Sequence, residues 1–535
     1  MKKSRKTDNQ RCGSHQYNIF DLLMCLHFFR TEPQNAFRLQ QIEPDELRDN
    51  FQRDRDRILY SREFRRLSGK TQVFVSSHDD NLRTRLTHTL EVAQISNTIA
   101  QNLNLNTTLT EAIALGHDVG HTPFGHIGER VLNHLMNGCQ TLPDYDKMIW
   151  DFPNCKGFKH NLQGIRVACN LERMNNFESG LNLTNYTLWG ILNHTKKSYK
   201  SKCEYYRENC KCTYFLNKDH HCNAKGKLEV SFYNYFKNKE YKEFINDKTS
   251  WSIEGAIVAM ADEIAQRHHD IEDGIYAKIL DISSIINLLQ KYKDILYFEN
   301  GISLEDLNMS NKYNLIYRIS KVIIRTYTIH YTHFLRNLFV NIYKLINNSN
   351  FHGNFFSVRN HVYNKILEDT KQENIIKALS INNTLQNNRM FDFDKELQDF
   401  LCNRILQSEL AQRMDGKAIF IIQRLIKAYL TNLQQLPDNT IKILINDIYE
   451  NINWFQDAQT INLLYFINKI LIREKINNIF DLRYGDARLC LKEILKYDNR
   501  EIKIIILRKI CDFIAGMTDK FALEQYEKLY VPNKY

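Results

Sequence analysis

A chain of 535 residues with 43% hydrophobic and 25% charged residues is too long for one ordinary domain and too apolar for a disordered segment, so two packed units or one large helical body with appended parts are expected. The net charge of +10 favours polyanionic partners such as nucleotides or nucleic acid, although the Lys and Arg residues are scattered as on a solvated surface. No run approaches the ~20 apolar residues of a membrane span, and the apolar stretch Ile19 to Phe29 is broken by Asp21 and His27 behind a long polar lead, so no membrane association and a cytoplasmic location with reduced cysteines are the expectation.

Residues 1–16 read as a loose basic arm, within an N-terminal arm and lead helix covering 1–50. In RLTHTLEVAQISNTIAQNL, Val92, Ile95, Ile99 and Leu103 recur at steps of three and four, which predicts an amphipathic helix. In TLTE, Thr108 and Glu111 have capping-box spacing, predicting a helix that runs into Gly116 and His117. The segment at about 196–250 is polar and rich in Cys, Tyr and Lys, and it interrupts the helical pattern. The pattern resumes in WSIEGAIVAMADEIAQ, where Ile253, Ile257, Met260 and Ile264 again recur at helical steps. Past about residue 300 the chain is rich in Ile, Asn, Lys and Tyr; its periodic apolar positions predict further helices, with a stop and restart around Leu436, Pro437 and Asp438. With no proline between Pro153 and Pro437, no alternating strand pattern and no internal repeat, the expected fold class is all-α.

The chemistry is concentrated in GHDVGHTPFGHIGE, residues 116–129, which holds three histidines, an aspartate, a glutamate and four glycines. Imidazole nitrogen and carboxylate oxygen together suit a divalent metal with open coordination positions. His117 and Asp118 are adjacent, so they converge on one ion only at a helix end and only with partners from other helices. His88, four residues before Val92, and Asp262, between Met260 and Ile264, lie on or beside the buried stripes and are candidates. A buried carboxylate without a partner is costly; two histidines and two carboxylates around one divalent cation are charge-neutral. The competing readings are a hydrogen-bonded core histidine at 88 and an Asp262–Arg267 ion pair.

Together these residues reproduce an H…HD…D signature, and the chain resembles the HD-domain phosphohydrolases, in particular the deoxynucleoside triphosphate triphosphohydrolases of the bacterial dGTPase-like branch. The resemblance is carried by FQRDRDRILYSREFRRLSGKTQVF, RTRLTHTLEVAQI, GHDVGHTPFGHIGE, FKHNLQGIRV, GLNLTNYTLWGILNHT, IEGAIVAMADEIAQRHHDIEDGI and CDFIAGMTDKFALEQYEKLY, and spans about residues 50 to 525. It implies an HD helical core over 51–300, with the Cys-rich insert, followed by a C-terminal helical region over 301–535. It further implies one Mn or Mg ion held by His88, His117, Asp118 and Asp262, a catalytic pair His126 and Glu129, and substrate contacts from Gln72, Arg85, His121, His160 and Asp270. Gln72 and Asp270 match positions that read the 3′-hydroxyl of the sugar. The implied reaction converts a dNTP, with dGTP as the favoured guess, to deoxynucleoside and inorganic triphosphate, in a homo-oligomer.

Local spacing is compatible with these roles. Arg85 precedes His88 by about one helical turn and can present its guanidinium to phosphate oxygens. His126 and Glu129, three apart, share a face if helical, so the carboxylate can hold the imidazole; the alternative pairs Glu129 with Arg130 at the surface. The chain departs from many family members at Gln266, where a tyrosine packs near the sugar.

In the insert, Cys203, Cys210, Cys212 and Cys222 could hold a structural zinc, but their spacing is not the paired C-x-x-C form and free thiols are the alternative. Two other functions stay open: another HD phosphohydrolase acting on alarmones, cyclic nucleotides or monophosphates, and an HD-fold regulatory protein holding single-stranded nucleic acid on a basic surface. HTPFGHIGE after the doublet counts against an alarmone hydrolase, which places acidic residues there.

Overall fold

The computed structural model describes residues 28–72, 83–136, 157–172, 180–195, 244–247, 249–298, 312–348, 355–372, 375–380, 389–452, 458–497 and 499–532. Among these every regular element is helical, and paired extended residues occur only as the isolated bridges Arg38 with Thr184 and Thr71 with Thr84. The fold class is all-α. Cys203, Cys210, Cys212 and Cys222, most of the 196–250 insert and the basic arm lie outside the described residues.

The first half supplies α1 (Asn50–Tyr60), α2 (Arg85–Asn102), α3 (Thr107–Gly116), α4 (Gly125–Met136), α5 (His160–Arg166), α6 (Asn185–Asn193) and α7 (Ile253–Tyr276). Helix α3 packs against α1, α2, α6 and α7, which makes it the centre of this half. The periodic residues of α2 (Val92, Ile95, Ile99) and α7 (Ile253, Ile257, Met260, Ile264) are all buried, as their spacing requires, and Leu103 just past α2 is buried with them. The start of α3 differs from the sequence expectation. Asn106, not Thr108, is the cap: its side chain accepts from the Leu109 N–H at 3.0 Å, and Thr108 lies inside the helix. Glu254 fixes that choice by accepting from the Asn106 N–H at 3.2 Å, a tertiary contact that local spacing does not reveal.

The second half continues with α8 (Lys312–Asn348), α9 (Phe355–Thr370), α10 (Arg389–Leu401), α11 (Glu409–Thr431), α12 (Asp438–Ile452), α13 (Ala458–Glu474), α14 (Tyr484–Ile494), α15 (Arg500–Ala515) and α16 (Asp519–Tyr530). The break around Pro437 is real: α11 ends at Thr431, Leu433–Gln435 make one tight turn, and α12 restarts at Asp438. Helices α11 and α15 close over α4, and α16 packs on α11. The last helices therefore cover the helix that begins beside His126. No described helix is long and apolar enough to cross a membrane.

Candidate active site

Helix α3 stops at Gly116, and the turn that follows lets His117 and Asp118 point into one space. The His117 Nδ1 donates to the Ala114 carbonyl at 2.6 Å, which leaves Nε2 as a lone pair. That nitrogen is buried and has no hydrogen-bond partner among the described residues. It stands 3.5 Å from Asp118 Oδ1 and 3.9 Å from Asp262 Oδ1, and His88 Nε2 lies 2.9 Å from the same Asp262 oxygen. Burial pushes both carboxyls up, but neighbouring groups prevail: His121, His117 and Arg85 hold Asp118 well below the usual range, and His88 and His117 lower Asp262. Two imidazoles and two carboxylates from α2, the end of α3 and α7 thus converge on an orphaned nitrogen, a donor set that fits a divalent cation. Arg267 is engaged elsewhere, donating to Asp394 at 2.8 Å, so the alternative Asp262–Arg267 pair does not form.

Beside this cluster Arg85, almost fully buried, donates to Asp118 Oδ2 at 2.6 Å, while its Nε and Nη2 have no partners among the described residues. A buried guanidinium with unused donors suits an anion. His121 Nε2 lies 3.0 Å from Asp118 Oδ1, and its ring stacks on His160 with centroids 3.9 Å apart.

Glu129 does not behave as a simple partner of His126. Its buried carboxylate accepts from Lys159 Nζ and from the His160 N–H, both at 3.0 Å, and meets His160 Nδ1 in a short contact. The donors of His121, His126, Glu129 and His160 all lie within 4.8 Å of one another, so the pair expected from spacing is part of a four-residue group. His160 Lys159 and His126 outweigh burial and hold Glu129 well below the ordinary range. His126 itself is open to solvent, at the start of α4 after Phe124 and Gly125, which both take left-handed backbone (φ 60° and 61°). Protein packed around its ring, with the Arg85, His160 and Lys159 charges, pushes its imidazole down to about 4 against the pull of Glu129.

One residue escaped the sequence reading. His194 follows α6 as His117 follows α3: its Nδ1 donates to the Ile191 carbonyl three residues back, at 2.7 Å, and its Nε2 faces His160 Nε2 at 3.2 Å. Burial, then the neighbouring His117 and His160, pushes it down to about 3. The signal was present as a histidine closing each of two apolar helices, ALGH and ILNH.

Of the sugar-reading candidates, the Gln72 backbone comes close to Gly125 beside Arg85, and Asp270 lies further along α7. Gln72 Oε1 is buried without a partner among the described residues, and the Gln72 carbonyl and Arg85 Nη2 are 3.4 and 3.5 Å from where a Cβ on Gly125 would sit. Asp270, half-buried two turns beyond Asp262 on α7, is pushed up to about 7 by burial and then by Asp273. Gln266 lies between them and is exposed.

Contacts from the chain's end fix the loops. Asp519 accepts from the Thr71 N–H at 3.0 Å and the Phe124 N–H at 2.8 Å, and Lys70 Nζ bridges the His121 and Ala515 carbonyls at 2.5 and 3.1 Å. Asp512 accepts from Arg166 at 2.7 Å and Gln163 at 3.1 Å, anchoring α5. Gly120 packs directly on α5: a Cβ there would lie 2.0 Å from the His160 carbonyl oxygen.

Residues 85–217 match the family model of the HD domain, and residues 472–528 that of the phosphohydrolase-associated domain. Over 492 residues, 92% of this chain and 94% of the relative, the sequence is 30% identical to a deoxyguanosinetriphosphate triphosphohydrolase-like protein of Rickettsia felis. It is also 30% identical over 496 residues, 93% of this chain and 95% of the relative, to the protein of that description in Rickettsia prowazekii.

Proposed function

Because the chain belongs to the deoxyguanosinetriphosphate triphosphohydrolase-like family of HD-domain phosphohydrolases, we propose that it hydrolyses dNTPs, dGTP among them, to deoxynucleoside and inorganic triphosphate. The observation that carries this reading is the convergence of His88, His117, Asp118 and Asp262 around the unpartnered His117 Nε2, with the unused donors of Arg85 alongside. Bound there, a Mn or Mg ion supplies Lewis-acid polarisation of a phosphate oxygen.

The remaining work falls to the chain's own groups. Arg85 takes phosphate oxygens with the donors that Asp118 leaves free, and His121 and His160 line the same space. His126, with its imidazole pushed down to about 4, is unprotonated near neutrality and meets solvent, so it can accept a proton from an attacking water. Glu129 holds the Lys159 and His160 side chains in place beside it. Gln72 and Asp270 meet the sugar; near neutral pH Asp270 can donate or accept a hydrogen bond to the 3′-hydroxyl.

The test is to incubate the purified protein with each dNTP and Mn and to identify the products. Inorganic triphosphate is expected; pyrophosphate or orthophosphate would place the chain among other HD phosphohydrolases. His117→Ala and Asp262→Ala should each lose bound Mn and hydrolysis while keeping the helical circular dichroism. Normal turnover by metal-depleted Asp262→Ala would overturn the assignment.

A further inference from the structure

Behind the ligand set, a line of side chains reaches His88 from the opposite side. His88 Nδ1, the ring nitrogen turned away from Asp262, lies 3.1 Å from His269 Nδ1, and the two buried rings meet edge to face at 5.0 Å. The other nitrogen of His269, Nε2, is in short contact with a carboxylate oxygen of Glu91. The second Glu91 oxygen is 3.4 Å from Arg83 Nε, and Arg83 continues to Glu272 and Asp273.

The positions of the hydrogens follow from donor and acceptor rules. A carboxylate only accepts, so His269 Nε2 carries the hydrogen; a neutral imidazole has one N–H, so His269 Nδ1 is a lone pair. The hydrogen between the two rings then belongs to His88 Nδ1. Asp262 competes by drawing a proton onto His88 Nε2, the nitrogen a metal needs. With Nδ1 already the donor to His269, a cation has only the proton shared with Asp262 to displace. We propose that Glu91 and His269 are positioning residues that fix His88 in the tautomer able to bind a divalent cation through Nε2. This rests on the ligand role given to His88 above.

Glu91, His268 and His269 could themselves be taken for a cation site, since their ligand atoms lie within 4.8 Å of one another. Two facts argue otherwise. Arg83 already brings a fixed positive charge to Glu91. A cation on His269 Nε2 would also move the hydrogen to His269 Nδ1, leaving His88 with its hydrogen on Nε2 and unable to serve as a ligand.

The experiment measures Mn affinity of the full chain by calorimetry, with circular dichroism and melting in EDTA as the check on folding. Removing an outer partner of a metal-bound histidine typically weakens the metal about 10- to 100-fold, and that loss is expected for His269→Ala. His269→Asn places a side-chain carbonyl near the lost Nδ1 and should recover most of the affinity. Glu91→Gln keeps the size but not the charge, and should lose about tenfold, the low end of that range. Equal losses in His269→Ala and His269→Asn would make the effect one of packing and overturn the relay. Wild-type affinity in His269→Ala and Glu91→Gln, with binding abolished in His117→Ala, would overturn the relay alone. Wild-type affinity in His117→Ala would overturn the ligand reading and the relay with it.

Discussion

Asp270 and His126 carry opposite displacements, a carboxyl pushed up to about 7 and an imidazole pushed down to about 4. For Asp270 the folded value lies above the unfolded one. Stability is therefore lost as pH rises from about 4 to about 7, where the unfolded chain ionises first. Asp270→Asn should accordingly raise the melting temperature at pH 8 and leave it nearly unchanged at pH 4, while weakening nucleotide binding through the sugar. An equal gain at both pH values would show that burial does not burden this carboxylate. His126→Ala should keep Mn and nucleotide binding but lose turnover by about 100-fold, as when a positioned base is removed; an equal loss of affinity would make His126 a substrate ligand. Much of the candidate site was legible, because His88 and Asp262 lie on or beside apolar stripes and His117 and Asp118 stand as an adjacent pair where a helix was expected to end. The link from Glu129 to His160 was not: 31 residues separate them, and i,i+3 spacing reports only a shared face.

At the scale of elements, the last helix stabilises the first half's loops. Asp519, at the start of α16, accepts the backbone N–H groups of Thr71, next to Gln72, and of Phe124, two residues before His126. Asp519→Ala leaves both donors without this partner, at a cost of about 1–3 kcal/mol for each buried group left unsatisfied. Because the four proposed metal ligands sit on α2, α7 and the turn after α3, Mn affinity should be unchanged. Turnover should fall on the order of 10- to 100-fold, since small misplacements of reacting groups are that expensive. A matching loss of Mn affinity would show that α16 supports the metal ligands too. The helices themselves were readable from apolar periodicity, in α2 and α7 most directly. The α3 cap was not, because the choice of Asn106 over Thr108 depends on Glu254, 148 residues away.

For the whole molecule, the concentration of neutral buried imidazoles sets an acid limit. Burial holds His121, His194 and His269 below the usual histidine value, so from about pH 6.5 downward the unfolded chain takes up protons that the fold refuses. Asp270 and Asp273, both pushed up to about 7, act in the opposite sense between about pH 7 and 4. Glu63 and Asp519, also pushed up by burial, add to that opposing sense. Below about pH 4, however, Asp118 and Glu129, held well below the usual carboxylate range, lose stability as the imidazoles do. The metal-free protein should therefore melt at progressively lower temperature from about pH 4 downward. A flat or rising profile in scanning calorimetry over that range would mean that these groups already carry their protons in the fold.

The contact at Gly120 bears on how this chain would be read in a library of random single substitutions. Any side chain there must displace the backbone of His160 and Gly164, so every variant would score as inactive although residue 120 has no chemistry of its own. Activity alone would group it with His126; retained Mn together with a shifted His160 would separate the two. The inactive positions in such a library would outline the packing of α5 as much as the reaction.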